Sequence, residues 1–526
     1  MPVGGRLGGG GTDIACRPSA VRKDVFMKGA VLSLVFLGCA VLVSCSGAAS
    51  SPGASDEAVG QGGTGAGAPG SASGQGGGAT SVGHGGSSSA ATGPGGAGGS
   101  GGSGGSGDWD GSGGSATIGS GGAGGSIGSG GAGGAGGAGG SGPVEDVGTV
   151  IKVTTLDADG PGSLREAIAT PGRRIIVFEV GGIIDLDKAR LNITEPFVTI
   201  AGQTAPSPGI TLIRGGMRIS THDVRIQHLR FRMGDAGAAP ASGFEPDVTT
   251  DGPSAYNIVI DHCSVAWGVD ENLSVSGPRF DGPTGTSRRV TLSNNIIAEG
   301  LHESVHAKGA HSMGTLVHDY CTDVTVVGNL YAHNYERNPW FKGFATGTIA
   351  NNIVHNPGKW AMRLGPVVKE WESSGITPEP PRVSIVGNYM QHGVDTLPGL
   401  PMVGTNSMGS AYLEDNIVVD ASGEPAPLVS PEIVILPEKP VWPDGLVALP
   451  AASVVDSVLA HAGARPRDRD EVDLRIVEDF VSGGGMLVNS QDEVGGYPTA
   501  EPTTRPLVVP AEDIEGWLER LADELE

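Results

Sequence analysis

Three stretches of the chain concentrate residues that could do chemistry. NYERNPWFKG (334–343) sets Arg337 directly before Asn338-Pro339, with Trp340 and Lys342 close behind. FEPDVTTDGPSAYNIVIDHCSVAWGVDENLSV (244–275) carries Asp247, Asp251, Asp261, Asp270 and Glu271. HESVHAKGAHSMG (302–314) is rich in histidine and holds one cation, Lys308. Grouped carboxylates outline an oxygen site for a hard cation such as Ca²⁺. A cation cluster near them is suited to an anionic substrate and to proton transfer once neighbours shift its pKa. Each stretch also has a plainer reading: a solvated acidic edge, a turn with an Arg337–Glu336 ion pair, and a polar loop. HESVH (302–306) has the HExxH spacing, which is a zinc-protease signature only on a helix, and this loop stretch shows no helical pattern.

The elements around these stretches decide between the readings. From residue 225 the chain repeats itself. RIQHLRFRM (225–233), NIVIDHCSVAW (257–267), RVTLSNNIIAE (289–299), DVTVVGNLYAHN (323–334), TIANNIVHN (348–356), RVSIVGNYMQHG (382–393) and AYLEDNIVVD (411–420) share one pattern. Each is a short alternating strand, a two-residue bend and a second short strand. Asn295, Asn329, Asn352, Asn388 and Asn416 fall at one equivalent position, with Cys263 and Leu229 in the two earliest coils. Self-similarity at this period predicts a solenoid, and strands of apolar period two predict a parallel β-helix. Asparagine tolerates the left-handed backbone of a bend, and stacked copies can bond along the axis. Stacked coils lie about 4.8 Å apart, so carboxylates distant in sequence converge on one face. The metal reading of the acidic stretch therefore leads, because unpaired like charges stacked in this way would repel.

GSLREAI (162–168) predicts an N-terminal capping helix over the raw end of the solenoid, with Ser163 as N-cap and Glu166 in a capping box. Residues 421–450 read as a Pro-rich strap. AASVVDSVLAHAG (451–463) and EDIEGWLERLADELE (512–526) have helical spacing and are expected to pack on the same domain.

The N-terminal region has another character. Arg22, Lys23 and Lys28 precede an apolar run ending at Cys45, which reads as an export signal. Leu42-Val43-Ser44-Cys45 resembles the bacterial lipobox, making Cys45 the lipidated residue; Met27 is an alternative start. Nearly half of the 92 glycines crowd between residues 46 and 143, a composition with almost nothing to bury, so this segment reads as a flexible linker. The expected organisation is a signal at 1–45, the linker at 46–143, a β-helix at 144–435 and a strap with helices at 436–526. Only Cys263 and Cys321 remain in the body, which is not a disulfide framework. A net charge of −24 argues against nucleic acid and anionic membrane surfaces as partners.

The run from Val150 to about Asp420 resembles the pectate lyases, right-handed parallel β-helix enzymes that cleave polygalacturonate. GSLREAI, TIAGQTAPSPGI (199–210), NIVIDHCSVAWGVDENLSV, KGAHSMG and NLYAHNYERNPW carry the resemblance, and the ending RDRDEVDLRIVEDF…DEVGGYP resembles the bacterial branch. The resemblance implies Ca²⁺-assisted β-elimination of an acidic polysaccharide, giving 4,5-unsaturated products. It implies that Asp270 and Asp251, with Asp247, are metal ligands, that Arg337 is the proton-abstracting base, and that Lys308 is a cation lining the catalytic subsite. Lys342 would grip substrate and Trp340, in place of a family arginine, would contact it. Ala266 stands where the family often has another carboxylate. A monomer outside the cell, attached to a membrane only through its lipid, is the expected state. The alternatives are a lyase for another uronan or for esterified pectin, and a non-catalytic carbohydrate-binding or adhesion solenoid.

Overall fold

The computed structural model describes residues 148–526. The expected signal, Cys45 and the whole expected linker at 46–143 lie outside the described residues. Within them, short strands recur in three sheets of eleven, eight and ten strands, parallel except where Thr503–Thr504 joins the edge of the third in antiparallel pairing, and successive coils add strands to each sheet in turn. In-register neighbours one coil apart include Ile260–Leu292 and Leu292–Val326 in the first sheet, and Val265–Ile297 and Ile297–Tyr331 in the third. This is a parallel β-helix. Alternation sends Ile226, Ile260, Leu292, Val326 and Ile349 into one continuous apolar interior.

The corner between first and third sheets is two residues long, and its two positions have different jobs. The first residue is left-handed: His228, His262, Asn294, Gly328, Asn351, Gly387 and Asp415 all have φ between 46° and 71°. Asn, Asp, His and Gly are the types that bear this backbone most readily. The second residue is the repeated asparagine, and it forms the expected ladder. Oδ1 of Asn329 accepts both the backbone N–H and the side-chain amide of Asn295 at 2.9 Å, and the pattern continues through Asn352, Asn388 and Asn416. The ladder starts at the Cys263 N–H, bonded to Asn295 Oδ1 at 2.8 Å. The left-handed bend and the ladder, assigned above to one residue, thus fall on adjacent ones.

The helix Leu164–Ala169 begins at Ser163, whose hydroxyl accepts the Glu166 N–H at 3.2 Å. Glu166 returns to the Gly162 N–H at 2.7 Å, and Leu164, Ala167 and Ile168 turn into the start of the interior. Three further helices follow the solenoid, Ala451–His461, Glu471–Ser482 and Ile514–Asp523. The first two cover the outer face of the third sheet, burying Val454, Val458, Ile476 and Phe480 against Ile296, Leu330 and Ile353. Asp470 and Asp473 also reach the fully buried Arg232, at 2.9 and 2.7 Å. The last helix sets Ile514 and Leu518 on Ile175, Val177 and Ala201.

Candidate active site

The acidic and basic stretches meet on the second sheet. Its strands include Arg190–Ile193, Gly216–Ile219, Val248–Asp251, Leu273–Ser276, Leu316–Val317, Trp340–Phe341 and Met362–Leu364. Isolated bridges Glu271–Met313 and Met313–Glu336 extend the stack, setting the chain around Asp270, His311 and Arg337 on successive coils.

Asp247 and Asp270 are brought together. The Val269 N–H bonds Pro246 O at 3.3 Å and the Val248 N–H bonds Asn272 O at 3.1 Å, bracketing the two carboxylates on adjacent coils. Burial pushes Asp247 up to about 6 against the pull of Arg190, and the Asp270 charge adds to that rise. Asp247 binds Arg190 at 2.6 Å. Asp270 is held below the usual carboxylate range: burial opposes this, but the 2.9 Å hydrogen bond from His311 and the charges of His311, Arg337 and His306 prevail. Two partly buried carboxylates that repel one another on an open face fit a hard cation that completes its shell with water and substrate oxygens.

Asp251 does not belong to this pair. Register places it beside Ser276, four residues along its strand from Asp247, and its carboxylate is ion-paired with Arg218. At about 3.3 Å per residue that is roughly 13 Å away, too far for a shared ion. Of the three carboxylates expected to share a metal, the fold sets Asp251 apart and leaves Asp247 and Asp270 as neighbours.

Arg337 is buried in a left-handed backbone conformation, φ 66°. A non-glycine residue held there costs about 1–3 kcal/mol, which the surrounding packing must offset. Its partner is Glu271 rather than Glu336, which instead binds Arg363 at 3.0 Å and Lys359 at 3.5 Å. Nε of Arg337 is buried without a hydrogen-bond partner. Burial lowers the guanidinium to about 10, with Arg363 reinforcing the fall and Asp270 opposing it.

Trp340 is 5% exposed, and its Nε1 donates to Gly365 O at 2.9 Å. The Arg363 guanidinium lies 3.9 Å from the ring centroid, Arg337 at 5.2 Å and the Lys342 ammonium at 5.3 Å. The ring is therefore a support beneath three cations, and the expectation that it contacts substrate is corrected on that ground. Lys342 is 3% exposed and bound to Glu370 at 2.5 Å and Asp319 at 3.3 Å. With both carboxylates holding it and burial lowering its pKa, it does not offer a free charge to substrate. Lys308 stands exposed on the histidine loop, beside His306 and His311, whose rings stack at 3.8 Å next to Asp270.

The sequence reading missed Arg363, yet its signal was present. Trp340 lies eleven residues after the ladder residue Asn329, and Arg363 lies eleven after Asn352. Equal offsets in successive coils are stacked positions, and Trp340 and Arg363 are register partners. Glu370 and Arg279, joined at 2.5 Å, come from loops outside the repeat and left no such signal.

No family model matches the chain. A probable pectate lyase C of Aspergillus oryzae is 32% identical over 374 residues, spanning 68% of this chain and 79% of the relative. A probable pectate lyase C of Emericella nidulans is 32% identical over 362 residues, spanning 66% and 76%. Both are fungal, so the narrower placement in a bacterial branch finds no support in them. Among solved structures, a thermostable pectate lyase is similar over 60% of this chain and 92% of its own, at 16% identity and a TM-score of 0.40.

Proposed function

From the premise that the chain belongs to the pectate lyase family, we propose that it cleaves polygalacturonate by Ca²⁺-assisted β-elimination, with Arg337 as the base. What supports the reading is the position of the mostly buried Arg337 guanidinium, its pKa lowered to about 10 by that burial, beside the Asp247–Asp270 pair. Asp247 and Asp270 would hold Ca²⁺, which when bound supplies positive charge beside a uronate carboxylate and so favours loss of the neighbouring C5 proton.

Arg337 in its neutral form takes that proton, and the glycosidic oxygen at C4 departs as the double bond forms between C4 and C5. Burial and Arg363 favour the neutral form, while Glu271 favours the charged one, so activity is expected to rise toward alkaline pH. Trp340 fixes Arg337 and Arg363 relative to one another. Lys308, exposed beside the Asp270 group, is the cation placed to meet substrate carboxylates.

Export and anchoring through Cys45 complete the proposal, supported by the basic residues and apolar run before it. Polygalacturonate incubated with the protein and Ca²⁺ should give ultraviolet-absorbing unsaturated ends, lost on chelation. New reducing ends without that absorbance would mean hydrolysis, and binding without cleavage would mean an adhesion module; either result overturns the proposal.

A further inference from the structure

The first two left-handed corners carry histidine, His228 and His262, thirty-four residues apart. Coil stacking turns that spacing into a pair: their rings are nearly parallel, 9° apart, with centroids separated by 5.2 Å. Both are buried on the side of the solenoid remote from the second sheet, at the corner covered by the C-terminal segments. Glu526 comes over them, its Oε1 3.4 Å from His262 Nε2. One donor atom from each of His228, His262 and Glu526 lies within 4.8 Å of the other two.

The His228 ring is already arranged as a ligand, and His262 becomes one on giving up its proton as an ion enters. The His228 Nδ1 is 2.8 Å from Ala464 O and must donate to it, since a carbonyl only accepts. Nε2 of the neutral ring then carries the lone pair, fully buried and without a partner. His262 stands between two carboxylates, Asp261 Oδ2 3.1 Å from its Nδ1 and Glu526 Oε1 3.4 Å from its Nε2; burial lowers its pKa, but these charges outweigh burial and raise it. A buried imidazole nitrogen left without a partner is costly. A ring that donates one nitrogen to a carbonyl or carboxylate while aiming the other at a shared point is the arrangement of metal-ligating histidines.

We propose that His228, His262 and Glu526 form a site for a borderline divalent cation of the Zn²⁺ class, distinct from the Asp247–Asp270 pair. Two imidazoles and one carboxylate select such ions over Ca²⁺, which takes oxygen ligands. Bonds of about 2.1 Å reach across at most about 4.2 Å, so the three donors draw in slightly as the ion enters. The ion would tie the segment after the last helix to these two corners. That segment already touches the body: Arg467 N–H donates to Leu525 O at 2.9 Å, and Arg467 Nη1 to Asp523 O at 2.9 Å.

The test titrates Zn²⁺ and, for its visible absorption, Co²⁺ into the chelator-treated full chain held in excess Ca²⁺. The expected result is one Zn²⁺ per chain with a raised Tm, at least about tenfold weaker binding in Glu526→Gln, and none in His262→Asn. Glu526 is partly exposed, so its variant is expected to fold, and asparagine keeps the left-handed backbone at 262. No binding by the wild-type chain, or binding unchanged in both variants, overturns the site. Binding lost in His311→Asn but kept in His262→Asn also overturns it, and moves the ion to the histidines beside Asp270.

Discussion

Arg337 sits between opposed influences. Burial and Arg363 press the guanidinium toward neutrality, while Glu271 and Asp270 hold its charge. Removing Glu271 should therefore lower the Arg337 pKa. We expect Glu271→Gln to move the rising limb of the kcat/KM profile to lower pH, read from steady-state rates between pH 7 and 11; a limb unmoved or displaced upward would disconnect Arg337 from it. Trp340 carries a different expectation. Its loss leaves a buried hole under three cations, so Trp340→Ala should destabilise the fold by about 3–5 kcal/mol, measured by denaturant unfolding. Residue type and stacking singled out Arg337, Asp247 and Asp270 in the sequence, and the fold brings these three into one neighbourhood. It did not show that Lys342 would be consumed by Glu370 and Asp319, because loop carboxylates lie outside the repeat. Asp251 misled for a related reason: it has the right type and the right coil, but register sets it several residues from the partner it needed.

At the scale of elements, the corner is what repeats. Period and strand alternation were legible because every coil solves the same steric problem with the same few residue types. The split between a left-handed residue and a ladder residue was not, since asparagine suits both and twice occupies both, at 294–295 and 351–352. The ladder makes a graded prediction. Asn352 accepts two bonds from Asn329 and donates to Val326 O, Ala350 O and Asn388 Oδ1, all in the interior. Asn352→Ala orphans several buried groups and should cost about 2–5 kcal/mol, whereas Asn416→Ala, at the half-exposed end of the ladder, should cost about 1 kcal/mol. Urea unfolding of the two variants checks the order; equal losses would mean that the ladder contributes little. The helix Glu471–Ser482, whose pattern the family-like ending obscured, is anchored by carboxylates from its N-terminal turn on buried Arg232.

At the scale of the whole molecule, the solenoid carries more buried neutral imidazole than its acidity suggests. Burial, with the nearby charges of Lys342 and Arg279, lowers His318 to about 3; burial beside His333 lowers His355 to about 4. A histidine whose folded pKa is depressed binds its proton more weakly folded than unfolded. Its contribution is therefore intact above about pH 6.5 and is lost as pH falls toward the folded value. Each should remove about 1.4 kcal/mol per pH unit between about 6.5 and 4, visible as a falling Tm; a Tm flat across that range would contradict their burial as neutral groups. The same architecture makes the site: coils stacked in register set residues 247, 270, 337 and 363 in or just before strands of the second sheet, although more than a hundred positions separate the first from the last. Whether Arg337 takes the proton is decided by kcat on polygalacturonate for Arg337→Ala beside the wild-type chain, at alkaline pH with Ca²⁺. As the base, Arg337 should cost about 10²–10⁴-fold in kcat on removal with KM little changed; a loss below tenfold would rule it out.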